Sequence, residues 1–316
     1  MTSSNNQALP IGYQLQDYKI VKVLSTGGFS LVYIAHDKNK KTVAIKEYMP
    51  TSLALREDGH TVILNNEDDA VTFKHGLKCF FEEGLALAKI DHKNIVRVLN
   101  FFRDNNTVYM VMQYERGKPL QDFILAQEQP LEESFVRNLF AEMSNGLREV
   151  HTHKLLHLDI KPANIYIRKD NSPVLLDFGS ARQILSDVHS KLAPSFTPGY
   201  ASPEHYVDRK KLGPWSDIYS LGASMYSCLA RSSPMAANLR VKNDGLIPAC
   251  KIGKNIYSDN LLKIIDSCLN LDPLQRPQSV FSLQKNLLLD YEMGKEMNKK
   301  KFSLIHQFRK FLSKSI

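Results

Sequence analysis

The stretch "LLHLDIKPANIYI" (155–167) sets His157, Asp159, Lys161 and Asn164 at fixed offsets among apolar residues, and "LLDFGSAR" (175–182) follows it closely. An uncompensated charge between buried strands is costly. These groups therefore either carry chemistry or form a polar surface patch. The second run ends in Asp177, 18 residues after Asp159. Two hairpin-like strands would bring Asp159, Asn164 and Asp177 to one end of a cleft. The Asp177 carboxylate and the Asn164 amide oxygen are hard donors suited to Mg²⁺, which keeps waters and binds substrate phosphates. Asp159, not needed for metal, can accept the proton of an incoming hydroxyl. Lys161 can neutralise a phosphoryl group in transit. Together the four describe phosphoryl transfer.

The rest of the chain suits a folded carrier of such a site. At 316 residues, 43% hydrophobic and 23% charged, it can build one large domain or two lobes. Cys79, Cys228, Cys250 and Cys268 are widely spaced, which argues against a zinc site or disulfide framework and fits a reducing compartment. "MTSSNNQALP" has neither a basic region nor an apolar one, so no secretory signal is read there. The 13 uncharged residues between Asp217 and Arg231 are too few to span a bilayer. The expected location is cytoplasmic, with a peripheral position at the inner membrane or export as an effector left open. Of the net charge of +8, residues 295–316 carry +6, so the body is nearly balanced and no nucleic-acid partner is expected.

The first hundred residues are strand-rich. "YKIVKVL" (18–24), "LVYIAHD" (31–37) and "TVAIKEY" (42–48) are β-branched or aromatic runs separated by turn residues. Residues 73–90 repeat apolar side chains at helical spacing. Two more strands are expected over 96–104 and 107–115, with Asn-Asn at the turn. From residue 120 onward the pattern is mainly helical, with an amphipathic helix over 133–154 and an apolar one over 217–230. The expected organisation is a leader over 1–17, a β-rich lobe over 18–115, a helical lobe over 116–290, and a basic tail over 291–316.

Two further motifs are weak alone. In "VLSTGGFSLVY" (23–33), small residues let a hairpin backbone approach a ligand and offer N–H groups to anionic oxygens. A Gly-Gly hairpin is also structurally ordinary. Lys46 in "VAIK" lies on the next strand, and an isolated strand lysine usually points to solvent.

In this order and spacing the motifs resemble the protein kinase family over roughly 18–290, a known signature set. The resemblance implies an α+β bilobal kinase fold, with a β-rich N-lobe holding helix C and a mainly helical C-lobe. It implies that Ser25, Thr26, Gly27, Gly28, Phe29, Ser30 and Val32 cover the ATP phosphates, with Ala44 also at the nucleotide. Lys46 would hold the α- and β-phosphates and pair with Glu83 of helix C, Glu82 being the rival on helical phase. Asp159 would be the catalytic base and Asn164 and Asp177 the ligands of Mg²⁺ or Mn²⁺. Lys161 would assist at the γ-phosphate, and Thr197 would bond Asp159 and Lys161. Met112 would be the gatekeeper, with the backbone of Gln113 and Glu115 facing adenine. Glu204 would pair with Arg276, and Asp217 would anchor the catalytic loop. Lys161 in "DIKPAN" is the serine/threonine form. The wording of "VAIKEYMPTSLALR" and "TPGYASPEHY" is similar to a proteobacterial group of eukaryotic-type serine/threonine kinases, which makes 49–72 a family insertion.

Several positions depart from the family. Ser25 and Ser30 replace two glycines, which implies weaker nucleotide binding. Leu158 stands where most members have an Arg that pairs with a phosphorylated activation-loop residue, so activity is expected not to depend on that switch. Ser186, Ser190, Ser195 and Thr197 are candidate autophosphorylation sites, and self-association is a candidate route. The rival readings are a nucleotide-binding pseudokinase or scaffold and a small-molecule kinase. The intact Lys46, Asp159 and Asp177 oppose the first, and "TPGYASPE" opposes the second. "KKKFSLIHQFRKFLSKSI" (299–316) has the spacing of a basic amphipathic segment, suited to an anionic membrane surface or partner, or a terminal helix docked on its own domain. His151 and His153 fall at a helix end, where imidazole suits the dipole better than a metal role.

Overall fold

A computed structural model describes residues 8–57, 60–178 and 196–288. The candidate sites Ser186, Ser190 and Ser195 and the tail from 291 lie outside these residues.

The N-terminal strands are β1 (Gln14–Leu15), β2 (Tyr18–Thr26), β3 (Ser30–His36), β4 (Thr42–Tyr48), and a small hairpin of β5 (Ala54–Arg56) and β6 (Val62–Leu64). Helix α1 (Ala70–Leu87) follows, then β7 (Val98–Asp104) and β8 (Thr107–Gln113). Six of these strands form one antiparallel sheet in the order β1-β2-β3-β4-β8-β7. Asn105 and Asn106 take φ of 49° and 58°, the left-handed pair that a tight hairpin turn requires and that Asn tolerates. Pairing of Tyr33 with Ile45, and of Ile45 with Val111, puts these residues on one face of the sheet. Strand alternation puts Val32, Ala44, Lys46 and Met112 on the other, toward the cleft.

Helix α1 packs on this sheet through Phe73 and Phe80, whose rings lie 5.4 and 5.9 Å from that of Tyr48. Gly84 permits the approach to β7, because a Cβ there would lie 1.8 Å from Phe101 Cε1. The helix begins three residues before the expected 73 and ends at Leu87. Ala88–Ile90 instead closes as a turn, with Ile90 N–H donating to the Leu87 carbonyl.

Residues 8–17, assigned by sequence to a leader, pack into this lobe. Leu9 and Leu15 are buried, and β1 pairs with β2. Leu15 stands alone between Gln14 and Gln16, and the short run around Leu9 is broken by Pro10, so no periodicity marked them.

The second half opens with β9 (Gly117–Pro119), α2 (Leu120–Ala126) and α3 (Glu133–Thr152). The hairpin of β10 (Ile165–Arg168) and β11 (Pro173–Leu175) follows, with β9 joined to β10. Then come α4 (Pro203–Val207), α5 (Pro214–Ala230), α6 (Ala237–Arg240), α7 (Ala249–Ile252) and α8 (Asp259–Cys268), and residues 280–288 are helical. Helix α5 is buried on nearly all sides, as its apolar sequence requires. Buried Arg137 of α3 donates to the Leu287 carbonyl, Ser258 Oγ and Asn260 Oδ1, tying three helices together. Among the described residues no helix is long and apolar enough to cross a membrane.

Candidate active site

The loop between α3 and β10 folds around buried carboxylate and imidazole groups. Asp217, fully buried near the start of α5, accepts from Leu158 N–H at 2.8 Å, His157 N–H at 3.0 Å and His151 Nε2 at 2.8 Å. Burial pushes the Asp217 carboxyl upward, but the His151 hydrogen bond and the backbone donors outweigh it, and the group sits below its ordinary range. His151 is therefore a partner of Asp217, and His153 Nδ1 lies 3.0 Å from the Glu149 carbonyl.

His157 is fully buried. Its Nδ1 accepts from Asp159 N–H at 3.2 Å, which leaves Nε2 to donate to the Leu176 carbonyl at 3.1 Å. Burial lowers its pKa, so the ring stays neutral and joins the catalytic-loop backbone to the strand that leads into Asp177.

Leu158 has φ of 66°, a conformation costing a non-glycine residue ~1–2 kcal/mol. Both of its backbone groups are held: the N–H by Asp217, and the carbonyl by His205 Nε2 at 3.2 Å, with His205 Nδ1 against Ser202 Oγ at 2.9 Å. His205 was not foreseen. It follows the predicted Glu204 directly, and nothing local marks it, because its partner lies 47 residues away.

On this frame the polar groups converge. Thr197 Oγ1 donates to Asp159 Oδ1 at 2.8 Å and accepts from Lys161 Nζ at 2.6 Å. Lys161 Nζ also reaches Asp159 Oδ2 at 2.7 Å. Asn164 Nδ2 donates to the Asp159 carbonyl at 2.9 Å and to its Oδ2 at 3.1 Å. The amide nitrogen of Asn164 is thus committed, and its oxygen is left as a donor to a cation. A hairpin of β10 and β11 brings Asp177 alongside, with φ of 55°, and Lys46 Nζ reaches Asp177 Oδ1 across the cleft at 2.5 Å. The Asp177 side chain remains 51% exposed, against 6% for Lys46. This oxygen donor set fits Mg²⁺ or Mn²⁺.

A cavity of about 340 Å³ opens above these groups. Of the residues expected at a nucleotide, Ser25, Val32, Ala44, Lys46, Met112, Gln113, Glu115, Asn164 and Asp177 line it. Leu24, Val96, Tyr114, Tyr166 and Leu176 line it as well and were not foreseen. Tyr166 sits on β10, two residues past Asn164 of the preceding turn, so strand alternation from Asn164 did not mark it. Thr26, Gly27, Gly28, Phe29 and Ser30 lie beyond this cavity, at the last residue of β2, the turn that follows and the first residue of β3. A Cβ on Gly28 would meet nothing within 4 Å, so the space there is open to a ligand. At the hinge, Gln113 N–H is taken by the Arg97 carbonyl at 2.9 Å. The N–H and carbonyl of Glu115, expected to face adenine, make no hydrogen bond among the described residues. The Glu115 carboxylate is gripped by Arg168 at 2.7 and 2.9 Å, which fastens the hinge to β10.

Glu83 is buried on the α1 face that carries Phe80, whose ring centre is 5.8 Å from Lys46 Nζ. Glu82 is partly exposed and lies 3.8 Å from Lys78. Below the cleft, Arg276 forms a two-pronged pair with Glu204 at 2.9 and 3.1 Å. Its other donors reach the carbonyls of Asn270, Trp215 and Leu271. A second cavity, about 350 Å³, adjoins the polar cluster and is walled by Lys161, Thr197, Tyr200, Ile124, Leu125 and Arg231.

Comparison with known proteins agrees with this geometry. The family model for the protein kinase domain matches residues 18–288. The chain belongs to the protein kinase family. This kinase domain is 32% identical over 249 residues to serine/threonine-protein kinase Nek2 of Homo sapiens, covering 74% of this chain and 55% of that protein. It is 28% identical over 284 residues to serine/threonine-protein kinase Nek5 of Mus musculus, covering 87% and 41%. The chain thus spans about half the length of these relatives. The solved structure of PpkA-294 in its apo form superposes with a TM-score of 0.80 at 35% identity, covering 89% of this chain and all of that one. The expected bilobal α+β kinase fold is the fold found.

Proposed function

We propose that this protein is a serine/threonine protein kinase that transfers the γ-phosphoryl group of ATP to a protein hydroxyl. The observation that carries this reading is the convergence of Thr197, Lys161 and Asn164 on the Asp159 carboxylate, with Lys46 and Asp177 paired across the cleft. Asp159 orients the acceptor hydroxyl and takes its proton, and Lys161 stabilises charge on the transferring group. Lys46 holds the non-transferred phosphates. Asn164 Oδ1 and the Asp177 carboxylate hold Mg²⁺ or Mn²⁺, which when bound neutralises phosphate charge. The hinge backbone reads adenine, and Glu83 steadies Lys46. The cavity beside Lys161 and Thr197 receives the protein substrate. The relatives' description as serine/threonine-protein kinases supports the acceptor type.

The deciding experiment is phosphate incorporation from Mg-ATP by the purified protein, alone and with a generic basic protein, beside Asp159→Asn. Incorporation abolished by Asp159→Asn supports the reading, and mapped sites report acceptor type and autophosphorylation. No incorporation, with ATP still raising the melting temperature, favours a nucleotide-binding scaffold. A tail contact with anionic membrane belongs to the same proposal: removing 295–316 should abolish pelleting with anionic vesicles, and unchanged pelleting removes it.

A further inference from the structure

Just past the paired ends of β3 and β4, the segment between β4 and α1 reaches the turn between β2 and β3. Met49 N–H donates to the Phe29 carbonyl at 3.0 Å, and Thr51 N–H donates to the Gly28 carbonyl at 3.1 Å. Thr51 Oγ1 lies 3.4 Å from the same Gly28 oxygen. Both carbonyls at the tip of the phosphate loop are therefore held from outside the loop.

The segment that holds them is itself fixed. The N–H groups of Leu53 and Ala54 both turn back to the Pro50 carbonyl, at 2.9 and 3.0 Å. Met49, Leu53 and Ala54 are buried. At its far end Arg56 donates to both oxygens of Glu47, at 2.6 and 2.7 Å. Glu47, fully buried, also accepts from Tyr33 Oη at 2.6 Å and Tyr109 Oη at 2.7 Å. Strand alternation puts Glu47 on the face opposite its neighbour Lys46. Val62 N–H reaches the Asn105 carbonyl at 2.9 Å, which fastens the β5-β6 hairpin to the turn between β7 and β8.

We infer that residues 49–56 are a tether that positions the phosphate loop, with Met49 and Thr51 as positioning residues for the nucleotide phosphates. The inference rests on the kinase reading of the cleft. A trans peptide unit points its N–H opposite to its carbonyl. Holding the Gly28 and Phe29 carbonyls toward the tether therefore aims the N–H groups of Phe29 and Ser30 away from it. Backbone N–H groups fixed in advance bind an anion at lower entropic cost than those of a mobile turn. The tether thus compensates for the serines at positions 25 and 30.

The test separates phosphate from adenine binding, using ADP and adenosine as probes in titration calorimetry on the full chain. Thr51→Pro deletes the N–H donor at the second position of the turn opened by Pro50, where proline is well tolerated. Loss of one such bond predicts about three- to tenfold weaker ADP binding with adenosine affinity unchanged. Thr51→Val keeps the N–H and loses only the long hydroxyl contact at 3.4 Å, so it should bind ADP more tightly than Thr51→Pro. Equal ADP affinity in Thr51→Pro and parent overturns the tether, as does equal weakening of ADP and adenosine. If the parent binds neither probe, the kinase reading fails instead. Should Thr51→Pro not fold, amide exchange in the parent decides: Thr51 is an exposed residue, so a protected N–H supports the tether, and exchange at the rate of an unstructured peptide overturns it.

Discussion

Replacing Thr197 by Val tests the reading of the polar cluster most directly. Valine keeps the β-branched shape and deletes the hydroxyl that bridges Asp159 Oδ1 and Lys161 Nζ, at 2.8 and 2.6 Å. Two hydrogen bonds to charged groups are lost, each worth ~1.5–3 kcal/mol. The losses do not add in full. Lys161 keeps Asp159 at 2.7 Å, Asn164 keeps it at 3.1 Å, and the Asp159 and Lys161 side chains are 12% and 22% exposed, so water replaces part of what is removed. The net effect is about one bond's worth, or roughly a 10- to 150-fold fall in kcat at ~1.4 kcal/mol per decade. Since Thr197 lines the acceptor side and not the nucleotide cavity, KM for ATP should stay within about twofold. Thr197→Ser retains the hydroxyl and should stay within about fivefold of the parent in kcat, the loss reflecting the missing methyl group. Steady-state phosphate incorporation measures all three proteins. A Val variant within threefold of the parent would refute the argument, as would Val and Ser variants equally impaired or a loss expressed in KM for ATP alone.

Three further outcomes follow from other contacts. Because Arg276 satisfies three carbonyls besides Glu204, Arg276→Met should destabilise more than Glu204→Ala, itself ~3–5 kcal/mol, with Glu204→Gln mildest; denaturant unfolding gives the order, and a reversed order defeats the reasoning. His157 and His205 have pKa values lowered by burial, so below pH ~6.5 the unfolded chain takes up protons that the folded one refuses, and stability falls by up to ~1.4 kcal/mol per pH unit for each ring. Melts between pH 7.5 and 5.5 should show this slope, and His205→Gln, whose amide can still donate to the Leu158 carbonyl, should remove about half of it. Lys46→Met breaks the pair with Asp177 and the phosphate contact, so saturating ATP, which should add ~2.7 kcal/mol of stability to the parent at a hundred times Kd, should raise the variant's melting temperature far less.

Much of the site was legible because its signals are local. Strand alternation over 42–48 gave β4 with its observed limits, and Asn105-Asn106 marked a hairpin turn that needs positive φ. The offsets of Asp159, Lys161, Asn164 and Asp177 were visible because a hairpin places both ends of a short segment at one point. The start of helix α1 was missed by three residues because Val71 is exposed and Ala70 only half-buried, so neither extends the apolar repeat that begins at Phe73. The burial of Leu9, the β9 strand and the role of His205 left no periodic trace.

From the residue order alone came the longer strands and helices and the inventory of chemical groups, because side-chain spacing and turn chemistry act over a few residues. Which carbonyl or carboxylate each donor meets was set by the packing of the folded chain. Arg56 with Glu47, His205 with the Leu158 carbonyl, and Thr51 with the Gly28 carbonyl are separated by 9, 47 and 23 residues. No local rule pairs them. They are joined because a buried polar group must find a partner, and where that partner lies is settled only when the sheet, the hairpin and the helices close on one another.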